Sequence, residues 1–109
     1  MIWIYGDRNW GAVETDAAWS SPEKDAGLSI NEVNQGMRDG LTAYIEAILG
    51  ETKPQYVEHC IPNFPVFGKR LIVDNSWYET LSKDNVNLVS SPISEITNDA
   101  IMTVDGERH

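Results

Sequence analysis

Between Pro62 and Tyr78 the chain reads Pro-Asn-Phe-Pro-Val-Phe-Gly-Lys-Arg-Leu-Ile-Val-Asp-Asn-Ser-Trp-Tyr, a stretch that no continuous helix or strand can cross. Pro62 and Pro65 fix their own φ and push the preceding residues away from helix, so 62–67 is expected to be extended. Gly68 is expected to take a backbone conformation closed to other residues, making a sharp turn. Lys69 and Arg70 follow it, the only adjacent Lys/Arg pair in the chain. Leu71-Ile72-Val73 is an apolar run suited to anchoring the turn in a core. Such a pair is ordinarily solvated surface. On a rigid turn it becomes a candidate for holding an anionic ligand.

The stretch separates a helical part from a β part. The clearest helix is expected over 30–49. Ser29-Ile30-Asn31-Glu32 fits a capping box with Ser29 as the cap. Ile30, Val33, Met37, Leu41, Tyr44, Ile45 and Ile48 recur at helical spacing as one apolar stripe. Gly50 is placed for a left-handed C-terminal residue. Gly36 and Gly40 each cost about 1 kcal/mol against alanine and would admit close packing by another element. Lys53-Pro54 opens a second helix over 55–61, with proline in its first turn. Trp77 to Leu81 is expected as a helical turn capped by Ser76, and Val86 to Val89 as a short strand. Residues 93–97 and 100–104 flank Asn98-Asp99, a pair suited to positive φ, which predicts a β-hairpin. Asp105-Gly106 signals another turn and a further strand just beyond His109. Near the start, Met1 to Tyr5 is an apolar run before Gly6. Trp3, Trp10 and Trp19 are a high density of indoles best explained by packing. The region 11–28 carries loop chemistry in Ser20-Ser21-Pro22 and Gly27.

The 109 residues carry a net charge of −9, a field that repels nucleic-acid backbones and anionic lipid. No nucleic-acid or membrane partner is therefore expected. With 41% hydrophobic residues the chain is not of disordered composition. The single cysteine, Cys60, excludes an internal disulfide and suits a cytoplasmic location. His59 beside Cys60 supplies two ligands where zinc requires three or four, so a structural role is expected. With His59 and His109 as the only imidazoles, no Ser-His-Asp arrangement can be argued. None of the eight glycines falls in a G-x-G-x-x-G pattern, so the chain carries no dinucleotide-binding fingerprint of its own.

Pro65, Gly68, Lys69, Arg70, Asp74, Asn75, Trp77 and Tyr78 together resemble the Pro-x-x-Gly-Lys-Arg-(x)3-Asp-Asn-x-Trp-Tyr segment of Baeyer–Villiger flavoprotein monooxygenases. The similarity is greatest to the 4-hydroxyacetophenone monooxygenase branch. Asp84 to Val89 and Pro92 to Thr97 are similar to the next stretch of that family's sequence. Ser76 stands where the family often has glycine, and Val66 where the branch often has proline. The resemblance implies an α+β piece of an α/β protein built on two dinucleotide-binding domains, one for FAD and one for NADPH. It implies that residues 1–83 are a helical and loop part of the NADPH-domain insertion, and that 84–109 are a β segment returning to the FAD domain. It further implies a cofactor-binding role for Lys69 at the 2′-phosphate of NADPH, and a catalytic role for Arg70 beside the flavin. The implied reaction inserts oxygen next to the carbonyl of a small-molecule ketone, giving an ester or lactone. FAD and NADPH belong to the parent enzyme; this chain alone is expected to be inactive and to hold neither tightly.

A second reading is a small acidic α+β module for binding or dimerisation, without catalysis. Under it, Lys69 and Arg70 are plain surface, and exposed apolar segments drive self-association.

Overall fold

The computed structural model describes residues 11–20, 27–72 and 75–109. Met1 to Tyr5, Trp3, Trp10, Pro22, Val73 and Asp74 lie outside them. Three helices and one hairpin follow in order: α1 (Glu32–Leu49), α2 (Pro54–Cys60), α3 (Trp77–Leu81), β1 (Ile93–Ile96) and β2 (Ile101–Thr103). The chain is α+β, as expected.

Helix α1 starts two residues later than the capping box predicts. Asn31 is the cap: its backbone is extended, and its Oδ1 accepts from the Asn34 amide at 2.7 Å. Asparagine caps as well as serine does. The Ser29 hydroxyl is occupied elsewhere, accepting from the Trp19 indole N–H at 3.0 Å. At the other end Gly50 is right-handed at φ −60°, not left-handed, and donates to Glu46 O. The chain turns onward from there through Lys53 N–H to Leu49 O.

The larger correction concerns the helix face. In its first half α1 buries Asn34, Gln35 and Arg38, while Val33 (52%), Leu41 (46%) and Tyr44 (47%) are exposed. Only Ile45 of the expected stripe is buried; Ile30, Met37 and Ile48 are half-buried. The reason is what lies opposite. Segments 11–16 and 62–66 carry no ladder hydrogen bonds, and their buried carbonyls need donors. Amide and guanidinium groups supply them. A Cβ added at Gly36 or Gly40 would meet nothing within 4 Å among the described residues, so neither glycine marks a close approach.

The second half of α1 behaves conventionally. Ile45 and Leu49 pack with Leu81 of α3, flanked by Ile48, Tyr56, Val57, Cys60, Ile61, Tyr78, Val86 and Leu88. Helix α2 opens on Pro54 at its first position. Lys53 Nζ bonds Val86 O at 3.0 Å, tying the segment after α3 to the start of α2. The predicted strand at 86–89 does not form. Val86 and Leu88 point inward and Asn87 and Val89 outward, so the alternation is real, but no neighbouring strand pairs with them among the described residues.

Helix α3 spans Trp77–Leu81 as predicted, with Ser76 before it. Ser76 sits at φ 67°, ψ 36° and makes no side-chain capping bond. Its role is therefore a left-handed bend, a conformation that glycine takes without strain. An L-residue held there costs about 1–2 kcal/mol. Ser76→Gly is expected to stabilise the chain by about 0.5–1 kcal/mol, after glycine's extra unfolded-state entropy is subtracted. A urea denaturation midpoint that falls in the variant would contradict this.

The hairpin pairs Ile96 with Ile101 and Ile93 with Thr103, with an irregularity between Ile93 and Glu95. Asn98 and Asp99 do not take positive φ. The Thr97 hydroxyl closes the loop instead, accepting from the Ala100 amide at 3.1 Å while Thr97 N–H donates to Ala100 O. Gly106, at φ 86°, makes the next turn. Arg108 then pairs with Met102, and Ile101 and His109 exchange both backbone bonds. After the Asp105-Gly106 turn the backbone thus returns to β2 through an isolated bridge at Arg108. Ile93, Ile96, Ile101 and Val104 are all exposed.

Apolar side chains stand exposed on α1, at Leu71 and Ile72, at Trp77 and on the hairpin.

Candidate functional site

The Lys69–Arg70 pair follows a tight turn. Gly68 N–H donates to Pro65 O at 2.9 Å. The left-handed residue is Phe67, at φ 66°, the third position of the turn, and not Gly68. A positive φ there is what a type II turn demands, normally of glycine or asparagine. Gly68 is needed for space: a Cβ on it would lie 2.9 Å from Pro65 O and 3.5 Å from the Phe64 ring. A stiff bend ahead of the cations is present, with the special backbone angle one residue earlier than predicted.

The anchor also differs. Leu71 is exposed and Ile72 is 87% exposed, so the apolar run after the cations does not seat in the core. The turn is held from its other side, where Val66 is buried. Asn34 Nδ2 donates to Val66 O and to Ala12 O, each at 2.9 Å. Arg38 Nη1 donates to Pro62 O at 2.9 Å and Phe64 O at 3.4 Å. Asn34 and Arg38 were missed by reasoning from apolar periodicity. Their signal was a second stripe, Asn31, Asn34, Gln35 and Arg38, at the same helical spacing.

Lys69 and Arg70 are both exposed. Lys69 Nζ lies 4.6 Å from the Phe64 ring centroid, a cation–π contact that holds the flexible ammonium near the turn. Neither cation pairs with a carboxylate among the described residues, although the chain is strongly acidic. An ammonium and a guanidinium side by side, unneutralised, suit an anion carrying more than one charge.

Elsewhere the chemistry is structural. Among the described residues no group of three or more His, Cys, Asp or Glu is placed to hold a metal. Burial pushes the Cys60 thiol above its ordinary value, away from reactivity. The Asp105 carboxyl is held below the usual range, first by the Thr103 hydroxyl, then by the Ser91 hydroxyl and the Glu107 amide. These bonds close the second hairpin turn. No helix among the described residues is long and apolar enough to cross a membrane.

Fold and site together define an α+β segment that presents a braced cation pair and leaves much apolar surface uncovered. No protein-family model matches the chain, and no solved structure does. Among curated proteins, the uncharacterized monooxygenase y4iD of Sinorhizobium fredii is 37% identical over 109 residues, all of this chain and 16% of the relative. Phenazine N-monooxygenase PhzNO1 of Lysobacter antibioticus is 34% identical over 79 residues, 70% of this chain and 14% of the relative. The 2-oxo-Delta(3)-4,5,5-trimethylcyclopentenylacetyl-CoA monooxygenase of Pseudomonas putida is 34% identical over 91 residues, 80% of this chain and 16% of the relative. The chain is thus similar along its whole length to a segment of one larger protein named a monooxygenase, and over 70–80% of its length to segments of two others, and it spans 14–16% of their length.

Proposed function

We propose that this chain is a segment of an NADPH- and FAD-dependent Baeyer–Villiger monooxygenase of the 4-hydroxyacetophenone monooxygenase-like branch, oxidising a ketone to an ester or lactone. In this reading 1–83 belong to the NADPH-domain insertion and 84–109 return toward the FAD domain. The observation that carries it is the exposed Lys69–Arg70 pair on a braced turn, unneutralised among the described residues, within a chain similar throughout to one protein named a monooxygenase. The pair fits phosphate and flavin chemistry in its charge and in pairing with no carboxylate among the described residues. Bound FAD would supply electron transfer and oxygen activation. This chain's part is electrostatic.

Lys69 would hold the 2′-phosphate of NADPH as a point charge. Arg70 would set a planar, five-donor guanidinium beside the reacting oxygen. The Lysobacter relative is named for oxygenation at nitrogen, so a nitrogen acceptor is the outcome that would redirect the substrate assignment.

In the intact oxygenase, Lys69→Met is expected to raise KM for NADPH by about tenfold or more, the worth of one charged contact. KM for NADH, which lacks the phosphate, stays unchanged. Equal weakening of both cofactors would remove the 2′-phosphate role. The acidic binding-module reading has one observation in its favour, the exposed apolar hairpin. It predicts a dimer of the chain whose stability is indifferent to substitution at Lys69 and Arg70.

A further inference from the structure

We propose that Asn34 and Arg38 are positioning residues for the Lys69–Arg70 pair, acting through the backbone of 62–66. Why the pair needs positioning rests on the cofactor reading above; the brace itself stands on geometry alone.

The segment from Pro62 to Gly68 has no strand partner, and its one backbone–backbone bond in the turn is Gly68 N–H to Pro65 O. Left to itself, such a segment samples many conformations. Three of its carbonyls, at Pro62, Phe64 and Val66, are met instead by two side chains of one helix. Arg38 and Asn34 are one helical turn apart, so both reach the same side, and the alternating carbonyls of the segment face them. The helix itself is anchored farther along by Ile45 and Leu49. A rigid element is thereby coupled to a flexible one.

The coupling ends at the cation. Arg38 bonds the carbonyl of Phe64, whose ring lies under Lys69 Nζ. Asn34 bonds the carbonyl of Val66, the residue that opens the turn ahead of Phe67 and Gly68. Asn34 is wholly buried, and its Oδ1 has no hydrogen-bond partner among the described residues. Rotating the amide would set that oxygen against two carbonyls, so the orientation seen is the one that keeps both donor bonds. An unmade acceptor bond costs about 1–3 kcal/mol. The fold tolerates that cost where an apolar residue would leave two carbonyls without donors. A position that served packing alone would take leucine.

The test is nuclear magnetic resonance of the 109-residue chain, read at two places. In the wild type the Lys69 ε-methylene protons should lie upfield of an unstructured lysine, because they sit over the Phe64 ring, and the Gly68 amide should be protected from exchange. Arg38→Met keeps the aliphatic stem and removes the donors. It should bring the Lys69 shift to the unstructured value and speed Gly68 exchange at least tenfold, with the methyl shifts of Ile45, Leu49 and Leu81 unchanged. Arg38→Lys, which keeps one cationic donor group, should fall between. Asn34→Asp, which removes both N–H donors at constant shape, should repeat the effect on Gly68. Unstructured Lys69 and Gly68 signals in the wild type would overturn the proposal. So would variants in which those signals stay put, or in which they change only together with the Ile45–Leu49–Leu81 methyls. Success here, with NADPH and NADH affected alike by Lys69→Met, would keep the brace and remove the 2′-phosphate reading.

Discussion

Arg70→Lys in the intact oxygenase is expected to lower kcat for ketone oxidation about a hundred- to thousandfold. Removing a preorganised donor aimed at developing negative charge costs about 3–4 kcal/mol, and charge alone does not restore it. Lysine keeps the positive charge but replaces a planar, five-donor fork with a compact ammonium. Because Arg70 is exposed in this chain, the substitution should leave the fold intact. The thermal melt of the variant should match that of the wild type while turnover collapses. Wild-type turnover in Arg70→Lys would contradict the role. A parallel loss of folding would show that the guanidinium is structural.

Leu49→Ala is expected to be the most damaging change to the fold, at about 2–5 kcal/mol. Leu49 is 0% exposed and, with Ile45 of the same helix, packs against Leu81 of α3. Truncating it removes apolar transfer energy and opens a cavity that the neighbouring helices cannot collapse to fill. With only Ala12, Ile45, Leu49, Val66 and Leu81 as buried apolar residues among those described, the chain has little stability to lose. Far-ultraviolet circular dichroism should therefore show most of the helical signal gone in Leu49→Ala. Leu41→Ala, on the exposed face, should change stability by less than about 0.5 kcal/mol. Similar losses in both would mean that α1 faces its core through the apolar stripe after all.

That stripe marks the boundary of what the sequence made legible. The helices over 32–49, 54–60 and 77–81 were readable because their ends carry short-range signals: a polar cap region before Glu32, Pro54 at a helix start, Ser76 before Trp77. The hairpin was readable from its two apolar runs and the Asn-Asp between them, although a threonine hydroxyl closes it. The orientation of α1 was not. Periodicity reports where apolar residues lie, and it is silent on where backbone carbonyls elsewhere in the chain will need donors. Asn34 and Arg38 face inward because 62–66 cannot satisfy itself, a long-range fact.

The site was legible in part for the same reason. Two prolines and a glycine before two cations announced a stiff turn with charge after it, and the turn is there. The left-handed angles at Phe67 and Ser76 were not foreseeable from residue type, since neither is a residue that adopts them readily. The expected anchor at Leu71 and Ile72 failed because neither side chain joins the Ile45–Leu49–Leu81 core; both are exposed.

The central claim is oxygen insertion beside a carbonyl by the protein that carries this segment. Its most direct test supplies the intact, FAD-loaded protein with NADPH, an aryl ketone and isotopically labelled molecular oxygen, and follows the label by mass spectrometry. One labelled oxygen atom in an ester or lactone, formed only with NADPH and lost in Arg70→Lys, is the result predicted. Unlabelled product, label on a nitrogen acceptor in place of the ketone, or labelled ester formed equally by Arg70→Lys would contradict the account.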